Sequence, residues 1–176
     1  MKIVKYLPHP GIIAVLVVAM MAIEPLIPKW LVSWISFQTW ALYFIAGGTP
    51  KQGVKAGACY IGGILAAILI MVLANATGAT LGKATLPLVC AVVAFAVVCF
   101  EKVKALDFIP AWFVGAGAFF GFANVQGANF RYGPAFVTVV SAMLFGMVWG
   151  FMTVVLRTKY GAWADKGKAS VQTLEM

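Results

Sequence analysis

The chain has 176 residues, of which 63% are hydrophobic and 10% are charged, and its mean hydropathy is +0.98. A soluble domain of this length cannot bury so much apolar surface, so the composition predicts a polytopic membrane protein. The formal net charge is +8, from 13 basic and 5 acidic residues. Because the basic residues stand between and beyond the apolar runs, we assign them to orientation in the membrane and contact with anionic lipid, and not to nucleic acid.

Six apolar runs predict an all-α protein with six transmembrane helices in a single membrane domain, residues 11–157. The predicted spans are 11–28, 30–48, 57–74, 84–100, 108–123 and 133–156. Residues 1–10 form a basic N-terminus, which together with the first run also resembles a signal peptide; we treat that run as a retained helix. A polar patch, residues 75–83, separates the third and fourth runs, and a basic polar tail occupies residues 158–176. Six spans of about 20 residues leave only short loops and no soluble domain.

The distribution of Lys and Arg predicts the orientation. If the N-terminus is inside, ten basic residues fall on the inner side: Lys2, Lys5, Lys51, Lys55, Lys102, Lys104, Arg157, Lys159, Lys166 and Lys168. Three fall on the outer side: Lys29, Lys83 and Arg131. This asymmetry predicts that both termini are cytoplasmic.

The fifth run is rich in glycine, and its apolar part, residues 108–123, is short for a full span. Three polar residues close it, namely Asn124, Gln126 and Asn129. Residues 37–44 are a weak echo of residues 113–120, with Phe37 on Phe113, Tyr43 on Phe119 and Phe44 on Phe120. Short or interrupted segments in corresponding positions of two halves point to a transport site. With three spans in each half, a duplication would produce inverted repeats.

This correspondence predicts which residues line a solute path between the second and fifth spans. They are Gln38, Thr39, Trp40, Tyr43, Phe44, Phe113, Gly115, Gly117, Phe119, Phe120, Gly121 and Asn124. Two alternatives stay open. Gln38 and Thr39 are equally suited to hydrogen bonds between helices, and the aromatic side chains to packing or to facing lipid.

Glu24 is the one acidic residue well inside an apolar run, which makes it a candidate gate or ion-pairing residue. The alternative is that it reaches water near the outer interface. The three cysteines, Cys59, Cys90 and Cys99, lie in or beside apolar runs and form no C-x-x-C, so we expect small core residues. With one histidine and five acids, the chain predicts no metal, no cofactor and no enzyme.

Small residues recur at a spacing of four, which lets membrane helices approach closely. The pairs are Ala58 and Gly62, Gly63 and Ala67, Gly117 and Gly121, and Gly146 and Gly150. The pattern does not tell whether these faces pack within one chain or between chains. Because the chain is small, we expect it to form a homo-oligomer.

The segment FIPAWFVGAGAFFGFA, together with WALYFIAGG, resembles a bacterial inner-membrane family known as domain of unknown function 1097. The matching residues are Phe108, Pro110, Phe113, Gly115 and Phe120 in the fifth span and Tyr43 and Phe44 in the second. The resemblance implies a small six-span protein of the bacterial inner membrane. It implies no substrate and no functional residues.

The sequence therefore predicts a small channel or facilitator for a small polar or weakly charged solute. Its main alternative is a non-conducting accessory or structural subunit that binds a partner protein or lipid.

Overall fold

A computed structural model of the protein describes residues 7–27 and 31–174, with side chains as far as residue 164. The described residues form six α-helices joined by short turns. These helices are α1 (Pro8–Ile23), α2 (Ser33–Ile45), α3 (Pro50–Leu81), α4 (Thr85–Cys99), α5 (Ile109–Gln126) and α6 (Tyr132–Leu174). The prediction of an all-helical protein is confirmed. The charge count extends beyond what is described, since Lys2, Lys5 and Lys29 and the side chains of Lys166 and Lys168 lie outside it.

Three helical segments are long and apolar enough to cross a membrane: Pro8–Leu26, Pro50–Lys102 and Tyr132–Ala164. The middle segment contains both α3 and α4, with a one-turn 3-10 helix, Gly82–Ala84, between them. The two remaining helices are shorter than each of these three segments, since α2 has 13 residues and α5 has 18. These segments identify a membrane protein.

Two helices run beyond the predicted spans. The polar patch after the third run does not end α3, which has 32 residues and reaches Leu81. Within that patch the Thr77 hydroxyl donates to the Leu73 carbonyl at 2.7 Å, so the helix itself satisfies this polar side chain. The helix ends at Gly82, whose φ of +52° suits glycine. In α6 the helix continues to Leu174, so most of the predicted polar tail is helical.

The helices pack in two main pairs, α2 with α6 and α3 with α5. Within each pair the helices run in the same direction. Along α2 and α6, Ser36 meets Gly146 and Tyr43 meets Gly150. Along α3 and α5, Lys55 meets Asp107, just before α5, and Gly63 meets Trp112. α4 packs on α3, and α1 packs on α6.

Glycines allow both pairs to approach at backbone distance. A Cβ atom on Gly146 would lie 2.1 Å from the Ser36 carbonyl oxygen, and one on Gly63 would lie 2.0 Å from that of Trp112. A Cβ atom on Gly115 would likewise lie 2.1 Å from the Tyr60 carbonyl oxygen. Since real Cβ atoms do not come so close, only glycine fits these positions. The small-residue faces that contain Gly63, Gly146 and Gly150 therefore pack within the chain.

The interior is a continuous apolar cluster built from α2 to α6. Ile35, Tyr60, Phe119 and Val139 all have exposed fractions of 0%. A second cluster joins α1 to the bundle, with Leu16 and Met20 of α1 packed against Trp40 and Trp149. α1 is thus a peripheral helix, because it attaches through a small part of its surface.

Candidate functional site

A cavity of about 790 Å³ lies where α2 begins, α5 ends and α6 begins. We call it the vestibule. Its lining comes from Val32, Trp34, Phe122, Val125, Gln126, Asn129, Arg131, Pro134, Ala135, Val137 and Thr138. All of these residues come from α2, α5 and α6 or from the segments directly beside them.

The vestibule combines apolar buried residues with exposed polar ones. Phe122 and Ala135 are buried, with exposed fractions of 9% and 2%. Asn129 and Arg131 are exposed, and Gln126 is half-buried. A concave site with apolar walls and a few convergent polar groups is the usual form of a small-molecule site.

The polar side of the vestibule is held by the turn between α5 and α6. Gly127, with a φ of +51°, ends α5 and starts a 3-10 turn, Gly127–Asn129. The Phe130 ring then packs edge-on against Phe119, with ring centroids 5.8 Å apart. This contact anchors the turn in the core. Arg131 follows, and its Nη1 donates to the carbonyls of Phe130 at 2.9 Å and Ala128 at 3.4 Å.

The opposite wall is held by the start of α2. Glu24 Oε1 accepts a hydrogen bond from the Ser33 backbone N–H at 2.9 Å. A carboxylate at this point satisfies an unpaired N–H group and interacts well with the helix dipole. The observed partner of Glu24, predicted as a gate or ion-pairing residue, is therefore a helix N-terminus. The next residue is Trp34, whose ring lies beside Gly121 of α5, 3.1 Å from where a Cβ would stand.

Five of the predicted lining residues are buried in helix packing. Thr39 donates within its own helix, to the Ile35 and Ser36 carbonyls, at 3.1 and 3.2 Å. Trp40 Nε1 donates to Thr153 Oγ1 of α6 at 3.0 Å. The others are Tyr43, packed against Gly150, Gly115, against Tyr60, and Phe119, against Phe130. For Trp40, Tyr43 and Phe119 the packing alternative describes the contacts seen, whereas the hydrogen bonds of Thr39 lie within α2 and join no second helix.

Most of the other predicted lining residues lie on the surface of the protomer. Gln38, Phe44, Phe113, Gly117 and Asn124 are exposed. Phe113 and Gly117 border an apolar groove of about 290 Å³ between α3, α4 and α5, together with the half-buried Phe120.

The structure does not bring Gln38 and Gly117 together. A Cβ atom on Gly117 would have no neighbour within 4 Å. The predicted path lined by these two residues is not formed within the protomer, because α2 packs along α6 and α5 along α3 instead of against each other. Of the predicted lining residues, Gly121 lies nearest the vestibule, through its contact with Trp34.

Several vestibule residues are recognisable in the sequence as polar residues at the end of the fifth apolar run. Gln126 and Asn129 close the fifth run, and Arg131 was counted only for orientation. Trp34 gave no signal, because an aromatic residue at the start of a membrane helix is common at the interface.

At the opposite end of the bundle, the start of α5 is tied to its neighbours. Lys55 of α3 forms an ion pair with Asp107, the second residue before α5. Trp112 Nε1 donates to the Leu106 carbonyl at 3.0 Å, and its ring stacks on Phe100 with centroids 5.0 Å apart. These contacts join the start of α5 to both α3 and the end of α4.

The described part of the chain holds no cluster of three or more His, Cys, Asp or Glu side chains that could bind a metal ion. The three cysteines are free thiols, with Cys59 buried, Cys90 half-buried and Cys99 exposed. The side chains that line the vestibule provide one guanidinium, two amides, an indole and a hydroxyl, over apolar walls.

No curated protein and no solved structure matches this chain. A family model described as "Protein of unknown function (DUF1097)" matches residues 11–158, most of the chain. That family has no assigned activity, so it contributes the relationship and no substrate. By this match the protein belongs to the DUF1097 family.

Proposed function

We propose that the protein is a small-solute facilitator or channel of the bacterial inner membrane, and that solute enters through the vestibule. In this proposal α1 to α6 all cross the bilayer, both termini are cytoplasmic, and the vestibule faces outward. The single observation that carries it is a large cavity with polar and apolar walls, where α2, the shortest of the six described helices, meets α5 and α6. Short segments in corresponding positions of two halves are where transporters bind their solutes.

The helix pairing supports two inverted halves, α1–α3 and α4–α6. In such an arrangement α1 corresponds to α4, α2 to α5 and α3 to α6. The exchange converts the α2–α6 pair into α5–α3 and the α1–α6 pair into α4–α3. All four of these contacts occur, and the first two are the most extensive in the structure.

The closest backbone contacts follow the same correspondence. The gapless alignment that places Phe37 on Phe113 also places Ser36 on Trp112. Gly146 of α6 packs against the Ser36 carbonyl, and Gly63 of α3 packs against the Trp112 carbonyl, each without room for a Cβ atom. Corresponding carbonyls thus meet a glycine of the corresponding helix, as a pseudo-two-fold axis in the membrane plane requires.

The two ends of the bundle carry different contacts. The vestibule opens where α2 begins, whereas the Lys55–Asp107 ion pair joins α3 and α5 at the other end. Between them lies the apolar core, with Ile35, Phe119 and Val139 fully buried. Solute crossing therefore requires the halves to rearrange, or a path along the axis of a homo-oligomer. The exposed apolar faces contact lipid, as Val92 and Phe95 of α4 illustrate.

Flux through purified protein in liposomes tests the proposal. The panel comprises small amides, amines, alcohols and weak acids, and the key variant is Val125→Trp, which fills the vestibule from an exposed position (75%). Val92→Trp is the matched control, since Val92 is 68% exposed on α4 and lies outside the vestibule. We expect flux of at least one solute, lowered several-fold by Val125→Trp alone. A folded sample that passes none of the solutes contradicts the proposal.

The rival proposal is a non-conducting subunit that binds a partner protein. It is favoured by an open apolar groove of about 720 Å³ between α3 and α6, which includes the small residues Gly57 and Ala58. Gly146 and Gly150 cannot test it, because both are buried against α2. Ala58→Trp places a large side chain in the groove from an exposed position. Loss of a stoichiometric partner in this variant, with no flux in the parent protein, supports the rival.

A further inference from the structure

We propose that the vestibule binds a small organic anion, specifically a monocarboxylate with a short apolar chain, and that Arg131 holds the carboxylate. This inference rests on the proposed function for the place where solute enters, and it adds the chemical class of the solute. The geometry points to it through one fixed guanidinium, two amides and an apolar floor.

The charge of the lining is positive. Arg131 is the one charged side chain among the residues that line the vestibule. The nearest described acid along the wall is Glu24, and its Oε1 already accepts the Ser33 N–H. That carboxylate keeps its negative charge, but it is not among the lining residues, so the lining itself carries the single positive charge of Arg131. An anion is attracted to such a site and a cation is repelled.

The guanidinium is oriented by the protein before any solute arrives. Its Nη1 donates to the carbonyls of Ala128 and Phe130. Arginine has five N–H donors, and either of two guanidinium edges, Nη1–Nη2 or Nε–Nη2, can form two parallel bonds to a carboxylate. Because Nη1 already donates to the backbone, the Nε–Nη2 edge is the one that remains available to a ligand. An arginine held in this way loses less side-chain entropy when it binds.

The remaining lining selects for an apolar chain on the anion. The amides of Gln126 and Asn129 add N–H donors on the same side as Arg131. Phe122, Val125 and Ala135 supply apolar surface next to them. A short alkyl chain buried there is removed from water, which favours binding. An inorganic anion would leave this surface unused.

The test measures binding of radiolabelled butyrate to the full-length protein in detergent, with butylamine and butan-1-ol as competitors. We expect butyrate to bind, and both competitors to be at least tenfold weaker. Arg131→Gln should lower butyrate affinity at least tenfold. The matched control is Lys83→Gln, which removes one exposed positive charge in the turn after α3, outside the vestibule, and should change nothing.

A second variant keeps the inference open to refutation if Arg131→Gln fails to fold. Asn129→Asp is nearly isosteric at an exposed position and adds an acid to the lining. It should weaken butyrate and strengthen butylamine. Equal loss of butyrate in Lys83→Gln and Arg131→Gln, or unchanged butyrate binding in both vestibule variants, would overturn the inference. Flux of neutral solutes without butyrate binding defeats the anion site and keeps the facilitator. Butyrate binding without flux of any solute keeps the site and defeats the facilitator.

Discussion

At the scale of single residues, glycines decide which helix faces can meet. Gly146 lies against the Ser36 backbone, whereas Gly117 has open space where a side chain would be. Replacing Gly146 with Ala should destabilise the protein by about 1–3 kcal/mol, because an added methyl group forces α2 and α6 apart. Gly117→Ala is the control, and should be neutral or slightly stabilising since alanine favours helix. Thermal unfolding in detergent measures both, and equal midpoints for the two variants would contradict the packing described.

Glu24 is the second residue whose role the contacts define. Glu24→Ala removes the acceptor for the Ser33 N–H and should cost about 1 kcal/mol, the usual size of a lost helix cap. Glu24→Gln keeps an acceptor oxygen without the charge, so its loss should be smaller. Unfolding midpoints compare the two. If Gln and Ala variants are both as stable as the parent, the contact does not hold α2.

At the scale of helices, two buried side-chain hydrogen bonds join α2 to α6, and Ser36 Oγ makes one of them, to the Ala142 carbonyl at 3.1 Å. Trp40 Nε1 donates to Thr153 Oγ1, and that hydroxyl donates in turn to the Trp149 carbonyl at 2.8 Å. Thr153→Val should cost about 1 kcal/mol, near the range measured for such bonds in membranes, because the buried indole N–H loses its acceptor. Thr153→Ser retains the hydroxyl and should lose less. Denaturation in SDS resolves the two, and equal losses would assign the effect to packing alone.

Which helices exist could be predicted from the sequence, but how they pair could not. Each of the six helices overlaps one predicted span, since apolar runs between basic loops mark them. The ends of the helices are harder to predict from the sequence. The polar residues after Ala74 continue α3, and the Thr77 hydroxyl bonds to a carbonyl of the same helix. Pairing depends on which glycines meet a carbonyl. Gly117 and Gly121 have the same spacing as Gly146 and Gly150. Yet a Cβ atom on Gly117 would have no neighbour within 4 Å, whereas Gly146 packs directly against the Ser36 backbone.

At the scale of the whole molecule, the candidate site arises from the meeting of segments that are distant in sequence. The aromatic echo between α2 and α5 does not mark the vestibule, because its residues Tyr43 and Phe119 are buried in the core. The vestibule is formed at the start of α2 and the end of α5, and its lining includes Trp34, Gln126 and Arg131. Helix ends vary with the turns that follow them, so periodicity in the spans carries no information about this site.

The central claim, that solute passes through the vestibule, can be tested in one vesicle preparation with a reversible block. Val137→Cys places a thiol in the vestibule, and Leu81→Cys places one at the end of α3, with equal exposed fractions of 42%. Both are made in protein with Cys90 and Cys99 replaced by Ser.

The measurement is solute flux before and after a charged, membrane-impermeant thiosulfonate is applied from outside, and again after reduction. The account predicts that modified Val137→Cys loses most of its flux and regains it on reduction, whereas modified Leu81→Cys keeps its flux. Complete labelling of Val137→Cys with unchanged flux would contradict the account.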